Sequence, residues 1–175
     1  RKRAQDEMPQ SATGKMVMKT EPKFVPDEAV SVKWQDDAAV KVRMVDCVGY
    51  IVPEALGQTE EGAPRLVHTP WSEAPLPFKE AAELGTRKVI SEHSTIAIMV
   101  TTDGSVMDIP RESYVEAEEK VIKELEKAGV PFAIVLNSAH PEAEGAISLA
   151  YELERKYRAP VALVNCTELN ENDIA

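Results

Sequence analysis

Two stretches near the start of the chain alternate apolar and polar residues. Residues 30–34 and 40–45 place an apolar side chain at almost every second position, and residues 35–38, mostly polar, separate them. A period of two is typical of a strand with one buried face, and two such strands around a short turn predict an antiparallel hairpin. Residues 1–26 lack clear periodicity and contain three prolines, so we expect a loop there.

The second half of the chain alternates unbroken apolar runs with patterns of helical spacing. A short unbroken run is typical of a strand covered on both faces, whereas apolar residues three and four positions apart indicate an amphipathic helix. Gly129 and Pro131 mark the end of the first of these helices. The predicted strands are 96–100, 132–136 and 161–164, and the predicted helices are 114–128 and 146–157.

These patterns together predict the fold class. Strands that alternate with helices imply right-handed crossovers and a parallel sheet with helices on both faces. We therefore predict a three-layer α/β domain, mostly parallel, with one antiparallel hairpin near its start. A further helix is expected from Phe78 to about Ile90. Residues 47–77, rich in proline and glycine, are expected to form a long irregular segment.

Length, charge and cysteine usage narrow the function. A chain of 175 residues suits one domain. Its 20 basic and 30 acidic residues give a net charge of −10, which argues against nucleic acid or an anionic membrane as the main partner. No apolar run approaches the roughly 20 residues of a membrane span. Cys47 and Cys166 have no metal-ligand spacing, so a reducing cytosol is the simplest compartment.

Polar residues follow the predicted strands at their carboxyl ends, where parallel sheets bind ligands. Asp46-x-x-Gly49 closes the second hairpin strand, and this spacing is the third signature motif of P-loop GTPase-like proteins. Its chemistry requires a carboxylate that holds the water shell of Mg²⁺ and a glycine whose N–H approaches the terminal phosphate. The same four residues also suit an ordinary strand-end turn, so both interpretations stay open.

Other candidate residues are less specific. Thr20 lies upstream of the hairpin, where such proteins keep a threonine that coordinates Mg²⁺ and senses the γ-phosphate, although polar loops also carry threonines without that role. Residues 137–140 read Asn-Ser-Ala-His where guanine-specific members carry Asn-Lys-x-Asp. His140 cannot accept the two hydrogen bonds that guanine donates to the aspartate, and Ser138 replaces the lysine that lines the base. Guanine specificity is therefore not expected, and Asn137 suits base contact or helix capping equally well.

The phosphate cradle is missing from these 175 residues. A P-loop requires Gly-x-x-x-x-Gly-Lys-Ser/Thr between a strand and a helix. The only Gly-Lys pair is Gly14-Lys15, which is followed by Met16 and has Pro9 where the first glycine belongs. We reject it as a Walker A motif. Asp103-Gly104, after the third predicted strand, is expected to be a turn without a catalytic role.

Several stretches of the sequence are long and idiosyncratic enough to identify a family. They are residues 3–7, 9–11, 20–26, 45–50, most of 77–96, and 101–104. All of them resemble the stage IV sporulation protein A family of spore-forming Firmicutes, and the resemblance covers nearly the whole chain. It implies an ATPase of the translation-factor-related class of P-loop proteins, with ATP and Mg²⁺ as its ligands.

The resemblance also implies a cellular role. Members of the family polymerise in the mother-cell cytoplasm, associate peripherally with the outer forespore membrane and form the basement layer of the spore coat. The resemblance implies that ATP hydrolysis permits that polymerisation. The implied partners are other copies of the protein, a small amphipathic peptide that senses membrane curvature, and further spore coat proteins, with no nucleic acid among them.

Site residues carry over from the resemblance by position. Asp46 corresponds to the Walker B carboxylate and Thr20 to the sensor threonine, both acting on Mg²⁺ mainly through water. Gly49 corresponds to the glycine at the terminal phosphate, and Asn137 and Ser138 to the base-binding signature. Residues 1–26 would be a switch I-like loop and residues 47–77 a switch II-like segment. At Lys19 the sequence departs from the family, where another threonine is expected.

The resemblance further implies that the chain, residues 1–175, is the middle of its ATPase domain. A complete domain of this class has a strand, P-loop and helix that would precede Arg1, and a last helix that would follow Ala175. The absent strand lies between the strand ending at Asp46 and the strand starting near Ile96. We therefore expect two apolar strand edges without a partner in this chain, and little ATPase activity from the fragment alone.

Two interpretations of other classes remain beside the ATPase. One is a non-catalytic structural or assembly module, because the P-loop is missing. The other is a flavodoxin-like phosphoacceptor in which Asp46 is phosphorylated. The second explains neither the hairpin nor the long segment after Gly49.

Overall fold

The computed structural model describes residues 23–33 and 39–169, with the backbone alone for residues 23–27. The chain divides into two units. The first extends to Ile51 and resumes at Ala55–His93, and the second consists of Val52–Glu54 and the residues from Ser94 onward. Each unit has a hydrophobic cluster of its own.

The predicted hairpin is confirmed in the first unit. Strand β1, Lys23–Lys33, pairs antiparallel with strand β2, Ala39–Asp46. The predicted boundary was wrong, because β1 begins inside the segment that was expected to be loop. The pairing register shifts between Val25 and Val30. Pro26 lies in that interval, and an irregular ladder accommodates a residue that has no N–H to donate. Residues 1–22 and the turn at 34–38 lie outside the described residues.

One face of the hairpin is apolar and exposed. Val30 lies opposite Val42, and Val32 lies opposite Val40. All four side chains are exposed, between 40% and 50% of their full area. Among the described residues β2 pairs with β1 and with no other strand. A two-stranded ribbon has no second layer of its own with which to cover such a face.

The segment 47–77 is more regular than predicted, and that expectation is corrected here. Two short antiparallel hairpins occupy it. Glu61 and Gly62, both with positive φ, form the two-residue turn of the first, the conformation that hairpin turns favour. The hairpins tolerate Pro64 and Pro77 because each proline lies at a strand end. The four strands are β3, Thr59–Glu60, β4, Ala63–Pro64, β5, Leu66–Thr69, and β6, Ser72–Pro77.

The helix expected from Phe78 is confirmed. Helix α1, Phe78–Lys88, continues into a π-helical turn, Val89–His93. The fully buried Phe78 ring packs with Ile51 and Ala82. The Arg65 guanidinium lies 4.2 Å from the centre of that ring, so a cation–π contact joins α1 to the hairpins before it.

The second unit confirms the predicted order of strands and helices. Its three strands form one parallel sheet in the order β7-β8-β9. Gly129, with φ of +68°, provides the left-handed residue that ends the first helix. The elements are β7, Ala97–Thr102, α2, Glu112–Ala128, β8, Phe132–Asn137, α3, Glu144–Tyr157, and β9, Val161–Val164.

The prediction of helices on both faces of this sheet was wrong for the described unit. Met99 and Ile134 pack on one face with Ile122 of α2. The opposite face of β7 exposes Ile98 at 64% and Val100 at 62%. The reason is topological. Successive right-handed crossovers between strands in sequential order place both helices on the same side, and only a reversal of strand order covers the other side.

The open edges expected from the sequence are confirmed within the described residues. Strand β7 pairs with β8 alone, as β2 pairs with β1 alone. Both strands also carry exposed apolar side chains. Within residues 23–33 and 39–169, no helix combines the length and the apolar character needed to cross a membrane.

A buried ion pair fixes the start of α2 against the sheet. The Glu118 carboxylate, 4% exposed, accepts hydrogen bonds from the Thr101 hydroxyl and from both terminal nitrogens of Arg111. The Arg111 Nη2 lies 2.8 Å from Glu118 Oε2. A bidentate, charge-assisted pair of this kind fixes orientation as well as distance. The ion pair therefore fixes the end of the β7–α2 loop that leads into α2.

Replacement of Glu118 by alanine should lower the free energy of unfolding by about 3 kcal/mol, because it leaves a half-buried guanidinium without its partner. Denaturant titration of the chain measures this. Glu126→Ala, an exposed position on the same helix, is the matched control and should change little. Equal effects of the two substitutions would show that the ion pair does not stabilise the fold.

Gly104 and Gly129 form a second matched pair. Both have positive φ, but a Cβ at Gly104 would lie 3.0 Å from the Arg111 backbone nitrogen, whereas one at Gly129 meets nothing within 4 Å. We expect Gly129→Ala to cost about 1 kcal/mol of stability and Gly104→Ala about 3 kcal/mol. The same titration checks the difference, and a smaller loss at Gly104 than at Gly129 contradicts it.

Candidate functional site

Three loops meet at the carboxyl edge of the parallel sheet in the second unit. They follow β7, β8 and β9 and comprise residues 103–105, 138–140 and 165–168. Because parallel strands end on the same side, residues far apart in sequence come together there. This edge is where open parallel sheets bind ligands.

The Asp103 carboxylate is the centre of this edge. Its Oδ1 accepts hydrogen bonds from the backbone N–H of Ser105, at 2.9 Å, and from the Ser105 hydroxyl. Its Oδ2 accepts one from the Ser138 hydroxyl, at 2.6 Å. Partial burial raises the pKa of Asp103, but the hydrogen bonds from Ser105 and Ser138 outweigh it and leave the pKa below its ordinary value. Asp103 is thus held as a carboxylate.

Two serine hydroxyls link the loop after β7 to the loop after β8. Ser138 is fully buried, and its hydroxyl accepts the N–H of His140 at 3.0 Å. The Ser105 hydroxyl accepts the N–H of Ala139 at 2.9 Å. Ser138 was a predicted binding residue, but its burial leaves the side chain no surface for a ligand. Its hydroxyl instead fixes the shape of the loop that carries it.

Asn137 joins the second loop to the third. Its Oδ1 accepts the N–H of Cys166 at 2.9 Å. Helix α3 begins at Glu144 with Ala143 at its N-cap, so Asn137 does not cap that helix and this alternative is excluded. Burial raises the pKa of the Cys166 thiol, which keeps it protonated at neutral pH.

Asp46 and Gly49 belong to the first unit, and the three loops belong to the second. Asp46 is the exposed last residue of β2, as the motif requires. Gly49 has φ of +78°, a conformation that favours glycine, and a Cβ there would meet nothing within 4 Å. Both the phosphate-site interpretation and the strand-end turn agree with this local geometry. Thr20 lies outside the described residues.

The phosphoacceptor alternative does not fit. A flavodoxin-like phosphoacceptor carries its aspartate at the end of a parallel strand, but β2 belongs to an antiparallel hairpin. In the described part of the chain no three His, Cys, Asp or Glu side chains converge to hold a metal ion. Mg²⁺ does not need such a cluster, because it binds through one or two carboxylates, waters and substrate phosphates.

Asp103 and Ser105 are the residues that sequence reasoning missed. Asp103-Gly104 was expected to be a turn without a catalytic role, and it is a turn, with Gly104 at φ of +90°. The side chains around that turn nevertheless organise the edge. A signal was present, because an Asp-Gly-Ser sequence follows a strand whose end must lie beside the end of β8.

The family model for the ATPase domain of stage IV sporulation protein A matches residues 1–175. The chain is 53% identical over 177 residues to stage IV sporulation protein A of Bacillus subtilis (strain 168), with 99% of this chain and 35% of the relative aligned. It is 55% identical over 172 residues to that of Clostridioides difficile (strain 630), with 98% of this chain and 35% of the relative aligned.

The chain spans about a third of the length of these curated relatives. No solved structure matches it significantly. Because the family model matches the whole chain and the relatives are more than half identical to it, this chain belongs to the stage IV sporulation protein A family, within its ATPase domain.

Proposed function

We propose that this chain forms part of an ATPase domain that hydrolyses ATP in a spore coat morphogenetic protein. The observation that carries the proposal is the match of the ATPase-domain family model to all 175 residues. Asp46-x-x-Gly49 supports it, because the carboxylate ends a strand and the glycine has the positive φ that lets a backbone turn at a phosphate. The fold class we propose is that of the P-loop NTPases.

In this mechanism Asp46 and Thr20 would hold the hydration shell of Mg²⁺, and the N–H of Gly49 would be available to the γ-phosphate. When bound with ATP, Mg²⁺ neutralises charge that develops as the phosphoryl group is transferred to water. Asp46 fits this task because it is exposed and a single carboxylate suffices for a largely hydrated Mg²⁺. The protein contributes positioning and charge stabilisation rather than covalent chemistry.

The phosphate cradle is proposed to come from a part of the full-length protein outside this sequence, since these residues contain no Walker A motif. In the second unit, Asn137 would hold the loops of the carboxyl edge through the N–H of Cys166. Residues 1–26 and 47–77 are proposed as the segments that respond to the γ-phosphate.

The proposed cellular role is assembly. ATP hydrolysis would permit copies of the protein to polymerise in the mother-cell cytoplasm, at the outer forespore membrane, as the basement layer of the spore coat. The proposed partners are other copies of the chain, a small amphipathic curvature-sensing peptide and further coat proteins. The family match supports this role by the name of its members, which are sporulation proteins.

A non-catalytic assembly module is the second candidate, and the missing Walker A motif favours it. The two candidates differ in one measurable property. A catalytic protein of full length releases phosphate from ATP in the presence of Mg²⁺, whereas an assembly module does not.

In the full-length protein, Asp46→Asn should reduce Mg²⁺-dependent phosphate release by about 10- to 100-fold, because the neutral amide holds the metal's waters poorly. Initial rates at saturating ATP and Mg²⁺ measure this. Glu80→Gln, which removes an exposed carboxylate on α1 of the first unit, is the matched control and should keep the wild-type rate. Undiminished turnover in Asp46→Asn would contradict the assignment of this carboxylate.

The 175-residue fragment alone should bind ATP only weakly, because no Gly-rich loop and lysine contact the phosphates. Isothermal titration calorimetry with Mg²⁺-ATP tests this directly. The full-length protein is the positive control. A micromolar dissociation constant for the fragment would show that residues within it form a phosphate site of another kind.

A further inference from the structure

Gly49 lies in a short irregular stretch of the first unit. Residues 47–52 belong to neither a strand nor a helix, so the pairing of β1 with β2 does not extend to the backbone at Gly49. Gly49 nevertheless has a specific conformation, with φ of +78°. Where a Cβ would lie, nothing comes within 4 Å. One side of this glycine is therefore open, and its conformation depends on the residues next to it in the chain.

The side chains that hold this stretch are apolar. Val48 and Ile51 both pack in the hydrophobic cluster that contains Phe78 and Ala82 of α1. Ile51 is only 8% exposed although it belongs to an irregular stretch, whereas connecting segments normally run over the surface. Apolar contacts just before and just after Gly49 thus hold this stretch against α1.

The helical side of the cluster is itself fixed by several contacts. Phe78 begins α1 and is 1% exposed. Its backbone N–H donates to the Arg65 carbonyl at 2.7 Å, and the Arg65 guanidinium lies 4.2 Å from the centre of its ring. Ala82 lies one turn later on the same face of the helix. Helices hold neighbouring groups more precisely than loops do, so α1 is a rigid support for the stretch around Gly49.

We propose that Ile51 is a positioning residue of the phosphate site at Asp46 and Gly49. Its side chain, packed with Phe78 and Ala82, holds the backbone two residues after Gly49. Gly49 thereby keeps the conformation in which its N–H is available to the terminal phosphate. This inference rests on the proposed function, in which Gly49 contacts the γ-phosphate. Ile51 takes no part in the chemistry and acts through the backbone that joins it to Gly49.

Removal of the Ile51 side chain would leave a glycine without its anchor. Glycine has more accessible backbone conformations than other residues, so its native conformation is lost readily once the packing beside it is gone. Catalysis by positioning is sensitive to such a change, since a displacement of about 1 Å can lower a rate by about 100-fold. The phosphate concerned is the one that is transferred, so we expect the loss in kcat rather than in KM.

Hydrogen exchange in the full-length protein, without nucleotide, tests the anchor itself. In Ile51→Ala the amides of residues 47–51 should exchange about tenfold faster than in the wild type, because local opening costs less. Ile90→Ala is the matched control. Ile90 is 7% exposed, belongs to the same unit and is not a member of this cluster in the described part of the chain. Its substitution should lower the melting temperature to a similar extent and leave this exchange unchanged.

The kinetics of the same full-length variants test the role at the phosphate. Ile51→Ala should lower kcat for Mg²⁺-dependent ATP hydrolysis by about tenfold and leave KM for ATP within about twofold of the wild type. Ile90→Ala should keep the wild-type kcat. If melting curves show that the alanine variants are unfolded, Ile51→Val and Ile90→Val take their place, because each deletes a single methylene. The expected loss of kcat is then about threefold in Ile51→Val, with none in Ile90→Val.

The outcomes separate the inference from the proposal beneath it. A wild-type protein that hydrolyses ATP, with the same exchange or the same kcat in the Ile51 variant as in the Ile90 variant, overturns the role of Ile51 and leaves the ATPase standing. A wild-type protein that neither binds nor hydrolyses ATP overturns both. Faster exchange at residues 47–51 together with a lower kcat, both confined to the Ile51 variants, supports both.

Discussion

The Asp103 carboxylate joins the ends of two parallel strands, and the shape of the whole carboxyl edge depends on it. It accepts the hydroxyl of Ser138 from the loop after β8 and the N–H and hydroxyl of Ser105 from its own loop. A carboxylate with this many donors remains charged and fixed in place. The two serines can then hold the backbone of Ala139 and His140.

The loop that carries Asp103 is fixed at its other end as well. Arg111 and Glu118 tie the start of α2 to Thr101 of β7, only two residues before Asp103. Gly104 allows the backbone to pass within close reach of Arg111. The edge is therefore held by a buried ion pair and by a hydrogen-bonded carboxylate together.

Two strands in the described part of the chain, β2 and β7, have an edge without a pairing strand. β2 and β7 each pair on one side only, and each exposes apolar side chains. Native proteins normally cover or pair such edges, because an unpaired apolar strand promotes association with other chains. The sheet of the second unit has helices on one face because its strands are in sequential order. Neither feature disturbs the carboxyl edge, whose contacts all lie within the second unit.

The sequence by itself determined the family and most of the elements, although not the two short hairpins between Thr59 and Pro77. Gly129 and Pro131 end α2 where the pattern predicted, the alternation at 30–45 became a hairpin, and Asp46 and Gly49 stand at a strand end. These features depend on neighbouring residues, so a local pattern is enough to find them. Only the tertiary structure decided which face of β7 stays exposed and which strand ends meet. Asp103 and Ser138 lie 35 residues apart, and no local pattern specifies their contact, because it exists only once the parallel register of β7 and β8 has formed.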